Sequence, residues 1–223
     1  MPQNISPESR RGDVQDMRVV AALDDSGPFN RIWMPFIARW RPQHLVVVFG
    51  QHLRGKVDMG DIVCSVSTDD GDTWDPATLV FDHRRAHGAQ QFAYANPVVC
   101  QPGGQSILWC LAMRCPLSYP DSEDARLCAA YSIDGGRSWQ EVELGLHFHS
   151  ALITCGGVAE WWQDGCVRYL LPVHRNSARH DPLGRCDQFV LESDNLLEWR
   201  LAGFVPQPED RHVFMHEGNM APG

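Results

Sequence analysis

Apolar and polar residues follow one another along this chain in short runs, and over no long stretch do apolar positions recur every 3.6 residues. The runs read as β-strands bounded by turn-like or charged segments. The first four are Pro35–Trp40, His44–Phe49, Asp61–Ser67 and Thr78–Phe81. Four more follow at Asn96–Cys100, Ser106–Arg114, Arg126–Ser132 and Gln140–Leu144, and a last four at Ala151–Glu160, Val167–His174, Asp187–Ser193 and Arg200–Val205. The pattern predicts an all-β fold built from four-stranded units.

A motif recurs with the units. Ser67-Thr68-Asp69-Asp70-Gly71-Asp72-Thr73-Trp74 and Ser132-Ile133-Asp134-Gly135-Gly136-Arg137-Ser138-Trp139 share the form S-x-D-x-G-x-[TS]-W, and their serines lie 65 positions apart. Such an octet suits a tight turn. The Asp accepts from backbone N–H groups downstream, the Gly supplies a positive φ, and the Trp anchors the turn in the sheet. A decayed third copy, Ser193 to Trp199, keeps Ser193, Asp194 and Trp199, loses the Gly and is one residue shorter. In each unit the turn falls between the third and fourth strands. Self-similarity at a fixed period of this size, with four strands per unit, predicts the blades of a β-propeller.

Composition agrees. The chain has 223 residues, 43% hydrophobic and 21% charged, with 8 Trp, 19 Gly and 15 Pro, a mixture suited to short strands and many turns. Its formal net charge of −9, without a basic stripe, argues against a nucleic-acid partner. Met1 to Met17 is polar and charged, unlike a signal peptide, and no run of about 18 apolar residues suggests a membrane span. A cytoplasmic location is the expectation, with secretion of a longer parent left open. The eight cysteines lie mostly in apolar runs, and most are expected as buried free thiols.

The expected organisation is a polar segment over 1–17 and a propeller over 18–223, with blades at 31–82, 94–145 and 150–206 and the start of another at 213–223. Propellers close with about 4–8 blades. Three blades would therefore leave open edges and apolar faces, which predicts a piece of a longer protein or, as the alternative, self-association through those edges.

The octet resembles the Asp-box, or BNR repeat, of the sialidase superfamily, whose members are six-bladed propellers acting on terminal glycans. In that family the box is structural, on the face opposite the active site. The resemblance therefore assigns Ser67, Asp69, Gly71, Trp74, Ser132, Asp134, Gly136 and Trp139 to turns, and directs attention to the opposite ends of the strands.

There, His52 to Asp61 resembles the sialidase segment that carries a carboxylate-side arginine and then the general acid and base. Arg54 and Asp58 match that order, with Asp61 as the alternative acid; such a carboxyl needs a raised pKa to protonate a leaving oxygen. Phe29 to Pro35 is similar to the Arg-Ile-Pro signature, which makes Arg31 a carboxylate-gripping arginine, although Trp33 and Met34 interrupt the match. His216 to Met220 resembles the start of the fourth blade, where Glu217 would polarise a nucleophilic tyrosine. From the strand pattern itself, Tyr94 and Asn96, Arg114, and His174 with Arg175 fall on the same side and suit a sugar pocket.

No cofactor is implied. His147 with His149 and His83 with His87 lack a third ligand at a recognisable spacing, so no metal site is expected. The sequence has no G-x-S-x-G elbow. The resemblance places the tyrosine nucleophile in the second half of the propeller, so the isolated chain is expected to be inactive. The alternatives are a non-catalytic propeller that binds glycan or protein, and a propeller glycosidase that uses two carboxylates.

Overall fold

The structure, a computed structural model, describes residues 19–24, 26–56, 59–87, 90–103, 105–117, 125–146, 153–154, 156–175 and 187–206. Every regular element among them is a β-strand. The expectations for 1–17 and 213–223, and those for Asp58, Glu217, His147 and His149, lie outside the described residues.

Blade one is β1 (Phe29–Arg41), β2 (His44–Leu53), β3 (Gly60–Ser67) and β4 (Thr78–Phe81), antiparallel throughout. The two-residue β5 (Ala86–His87) leads into blade two, formed by β6 (Gln90–Cys100), β7 (Leu108–Pro116), β8 (Arg126–Ser132) and β9 (Gln140–Val142). The short β10 (Gly145–Leu146) runs parallel to the outer strand of blade three. That blade comprises β11 (Ile153–Thr154) and β12 (Ala159–Gln163), both on β13 (Cys166–Arg175), then β14 (Asp187–Ser193) and β15 (Glu198–Phe204). No helix among the described residues is long and apolar enough to cross a membrane.

Blade two is buried on both sides, which explains why its strands read as continuous apolar runs rather than alternating ones. Leu108, Cys110 and Ala112 of β7 pack with Trp40, Val46, Val48, Ile62 and Phe81 of blade one. The intervening Trp109 and Leu111 pack with Tyr169, Leu171, Val173, Phe189 and Leu191 of blade three. Blade one's other face holds Val47, Phe49 and Val63, partly covered by Val20 and Ala21. Blade three's far face carries a charged row instead: Glu192 pairs with Arg168 at 3.5 Å and with Arg200 at 2.9 Å, and Arg200 with Asp194 at 3.1 Å.

Cys64, Cys100, Cys110, Cys115, Cys128 and Cys166 are free thiols. Burial pushes Cys64, Cys100 and Cys115 up to about 12, so these stay thiols at neutral pH and are chemically quiet.

The innermost strands differ most from the sequence pattern. β1 starts at Phe29 and β6 at Gln90, well before Pro35 and Asn96. Each carries a bulge, between Trp33 and Phe36 and between Ala95 and Val98. At the bulges Met34 and Asn96 both have φ 52°, and each precedes a proline, Pro35 or Pro97. Proline cannot donate to a ladder, and a bulge is where a sheet accommodates it. The third inner strand is broken into β11 and β12.

The octet turns fold as one hydrogen-bonded device. Asp69 accepts from the Thr73 N–H at 2.9 Å and from the Thr73 and Ser67 hydroxyls at 2.6 and 2.7 Å. Ser67 Oγ accepts from Gly71 N–H at 2.8 Å, and Trp74 Nε1 donates to the Gly71 carbonyl at 3.1 Å. Asp134 accepts likewise from the Ser138 N–H at 2.9 Å and from both serine hydroxyls, and Trp139 Nε1 donates to Gly136 at 3.1 Å. Gly71 and Gly136 have φ 99° and 91°, a region open to glycine at little cost.

In the third copy the acceptor is Asn195, not Asp194. Asn195 Oδ1 takes the N–H groups of Leu197 and Glu198 at 2.9 and 2.8 Å, while Trp199 Nε1 donates to Leu196 at 3.0 Å. Asp194 instead pairs with Arg200. Leu196 occupies the glycine position with φ 65°; its burial against blade two offsets that strain.

These bonds have a pH signature. The Thr73 hydroxyl, the Thr73 N–H and the Ser67 hydroxyl together hold the Asp69 carboxyl down at about 2. A carboxyl lowered on folding adds stability that is complete above its unfolded pKa and disappears as pH falls through the folded value. For Asp69 the loss runs from about pH 4 to about pH 2. Urea midpoints measured across that window should fall less steeply for Asp69→Asn than for the unaltered chain; equal slopes would refute the assignment. In the third turn the acceptor is the amide of Asn195, which carries no proton to lose in this window.

Candidate active-site face

The octet turns follow the C-terminal ends of β3, β8 and β14, at Ser67, Ser132 and Ser193. Arg31, Arg54, Asp61, Arg114, His174 and Arg175 lie at or next to the opposite ends. Pairing joins several of them in one row: Arg31 faces His52, His52 faces Gly60, Gly60 faces Tyr94, Tyr94 faces Arg114 and Arg114 faces Arg126. At about 4.8 Å per strand, Arg31 and Arg114 are separated by about 19 Å along the row. Gly60 makes the row possible, because a Cβ there would sit 1.8 Å from the Gln51 carbonyl oxygen.

At the start of β1, Arg31 is exposed, its guanidinium 5.2 Å from the Trp33 ring. The loop after β2 is clamped at its neck by Leu53 N–H donating to the Met59 carbonyl at 2.8 Å. Arg54 N–H donates to Pro28 at 2.8 Å, which ties this loop to the approach to β1. Met59, fully buried, is packed against Ala93, Ala95, Met113 and Cys115, anchoring the loop's second foot on blade two.

Asp61 is 3% exposed and committed to His83. Its Oδ1 accepts from the His83 backbone N–H at 2.7 Å and lies 2.6 Å from His83 Nδ1. Phe29 meets the imidazole edge-on at 6.0 Å. With Nδ1 donating to Asp61, the tautomer leaves Nε2 as the acceptor, the orientation that suits a proton-transfer histidine. The pair borders a cleft of about 380 Å³ with Phe29, Gln51, Leu79 and Arg84. Asp61, Asp82 and His83 present ligand atoms within 4.8 Å of one another. Asp82, however, holds Arg84 at 2.9 and 3.0 Å, and three donors fall short of the six to eight oxygens that calcium takes.

Asn96 is a structural tie. Its Nδ2 donates to the Thr154 carbonyl at 3.1 Å, and its carbonyl accepts from the Thr154 hydroxyl, locking the inner strands of blades two and three together. His174 is buried opposite Ile153 and Gln188, and Arg175 ends β13 opposite Asp187. Arg114 is half-buried at the upper end of β7, its guanidinium 4.8 Å from the Phe92 ring.

The structure thus joins Arg31 and Arg114 in one row, brings the Arg54 loop to the start of β1 and leaves Asn96 in a latch. Sequence reasoning missed two residues of this face, His83 as the partner of Asp61 and Arg126 as the neighbour of Arg114. The signal for Arg126 was available: it begins a predicted strand antiparallel to the one Arg114 ends. That for the bulges was the pair Met34-Pro35 and Asn96-Pro97, 62 positions apart.

No protein-family model matches the chain, and no curated protein sequence does. Solved structures do. Trypanosoma rangeli sialidase in complex with the inhibitor DANA aligns with a TM-score of 0.57 at 17% identity, over 80% of this chain and 32% of that one. The NanB sialidase of Streptococcus pneumoniae aligns at 0.57 and 11% identity, over 86% of this chain and 47% of that one. Zg3597, a family 117 glycoside hydrolase of Zobellia galactanivorans, aligns at 0.55 and 9% identity, over 82% and 58%. At these identities the likeness establishes a sialidase-like propeller fold, and the chain spans from about a third to under three-fifths of these structures' lengths.

Proposed function

We propose that this chain is a portion of a sialidase-like glycoside hydrolase acting on terminal glycans, its Ser–Asp–Gly–Trp turns being Asp-boxes. The observation that carries the reading is the clamped loop after β2, held to the approach to β1 by Arg54 and to blade two by Met59. Arg54, at the first foot of this loop, is thereby tied to the approach to β1, where Arg31 is exposed, and Asp58 follows it by four residues in sequence. In this reading Asp58 is the general acid and base, Arg31 and Arg54 hold the substrate carboxylate, and Glu217 supports a tyrosine supplied by another part of the propeller. The chain alone then lacks the nucleophile and is inactive.

The test uses the longer protein. Asp58→Asn should lower turnover of a 4-methylumbelliferyl sialoside by at least about 100-fold, the contribution of a positioned proton donor, while circular dichroism and melting temperature stay unchanged. A second reading, a glycosidase using two carboxylates, draws support from the buried Asp61–His83 pair. It would replace the first if Asp61→Asn abolished turnover and Asp58→Asn did not.

A further inference from the structure

Half-buried arginines are normally ion-paired or fully hydrogen-bonded, because an uncompensated charge out of water is costly. Arg114 departs from this. Its Nε is shut off from solvent with no hydrogen-bond partner, and among the described residues its guanidinium makes no ion pair; the guanidinium lies 4.8 Å from the Phe92 ring. Ion-paired arginines of the described residues sit at the surface, as Arg84 does with Asp82 and Arg39 with Asp70.

Arg114 lines a cleft of about 400 Å³ together with Arg85, Arg126, Glu141, Glu143 and Leu144. The cleft exists because the outer edge of blade two is staggered. β9 pairs with β8 only from Tyr131 to Ala129, ending at Val142, while β8 continues to Arg126 beside Arg114. Arg85 reaches in from the connection after blade one and binds Glu141 at 2.8 Å. In a chain with 19 Lys and Arg against 28 Asp and Glu, three guanidinium groups thus border one recess. Guanidinium forks match the oxygen pairs of carboxylates, sulfates and phosphates.

We infer that this recess at the outer edge of blade two is an oxyanion site, with Arg114 as its central ligand and Arg126 and Arg85 flanking it. The site lies on strands β7 to β9, and none of the residues that line it comes from the loop after β2. That the anion is borne by a saccharide, as a carboxylate or sulfate ester, rests on the proposed glycan-directed function; the oxyanion site itself does not.

The experiment follows the Arg114 Nε–H resonance of the full chain by NMR while inorganic sulfate, glucuronate or neutral glucose is added, against sodium chloride at equal ionic strength. A saturable shift with sulfate or glucuronate and none with glucose supports the site; sulfate alone moving it assigns a tetrahedral anion, and glucuronate alone a carboxylated sugar. Arg114→Gln should lose the rise in melting temperature that the anion gives. Should Arg114→Gln fail to fold, Arg114→Lys keeps the charge without the fork and should bind at least tenfold more weakly. Shifts no larger than with chloride, or anion-dependent melting that survives loss of Arg114, would overturn the inference and leave the Asp58 test unaffected.

Discussion

Gly60→Ala is expected to prevent folding. Gly60 lies in the first position of β3, and an added Cβ would stand 1.8 Å from the Gln51 carbonyl oxygen and 2.8 Å from its carbon, both main-chain atoms of the neighbouring strand. Neither can swing aside as a side chain would. Relief requires β2 and β3 to separate by more than about 1 Å, which breaks the ladder of hydrogen bonds at a spacing fixed near 4.8 Å. It also parts Gly60 from Tyr94, the residue through which blade one pairs with blade two. The cost is several kcal/mol, against a total stability of about 5–15 kcal/mol for a native domain. Gly55→Ala is the control: Gly55 has φ 78° with nothing within 4 Å of an added Cβ, so only backbone strain of about 1 kcal/mol is at stake. Far-UV circular dichroism and a thermal melt should show a folded Gly55→Ala and no cooperative transition for Gly60→Ala. A normal melt for Gly60→Ala would overturn the placement of β2 against β3.

Trp199→Ala should be the most damaging truncation among the three turn tryptophans. Trp199 is 0% exposed, packed among Trp109, Leu111 and Leu127 of blade two and Phe189 and Leu191 of its own blade. Removing a fully buried aromatic costs about 3–5 kcal/mol, and here it also leaves the Leu196 carbonyl without its indole partner. Trp74 makes the same bond to Gly71 but is partly exposed, against the smaller cluster of Val47, Phe49 and Val63. Urea unfolding should therefore show a loss for Trp199→Ala at least twice that for Trp74→Ala; equal losses would mean that the turns, rather than the contact between blades, carry the effect.

The same contrast explains what is legible in the chain beforehand. Thr78–Phe81, Arg126–Ser132 and Asp187–Ser193 are strands with the bounds their sequence pattern predicts, because each is a short run stopped by turn chemistry at both ends. For the inner strands β1 and β6 the pattern starts too late, since the proline at each bulge looks like a strand boundary when it is a kink within one. In the third turn the motif matches the carboxylate of Asp194 by type, whereas the fold selects by position: the acceptor must stand two residues after the serine, and Asn195 does. Among the candidate site residues, Arg31, Arg54 and Arg114 fall at or next to the ends of strands opposite the turns, as the order of strands demands, whereas Asn96 sits at the bulge within β6. Their separate roles do not follow from that order, because Asn96 makes its latch with Thr154 of another blade and Arg114 meets Phe92 across a pair of strands.

The order of residues alone dictates the all-β class, the four-stranded unit, the recurring turn and the end of the strands from which that turn is absent. These are local properties, set by runs of apolar residues and by side chains that bond within eight residues of one another. Packing in three dimensions settles the rest: that Asp61 is spent on His83, that Asn96 fastens blade two to blade three, and that Arg85, Arg114 and Arg126 border one recess. Each depends on strands brought together by burying both faces of a blade, and the partners are 22 positions apart in the chain for Asp61 with His83 and 58 for Asn96 with Thr154, beyond the reach of any local pattern.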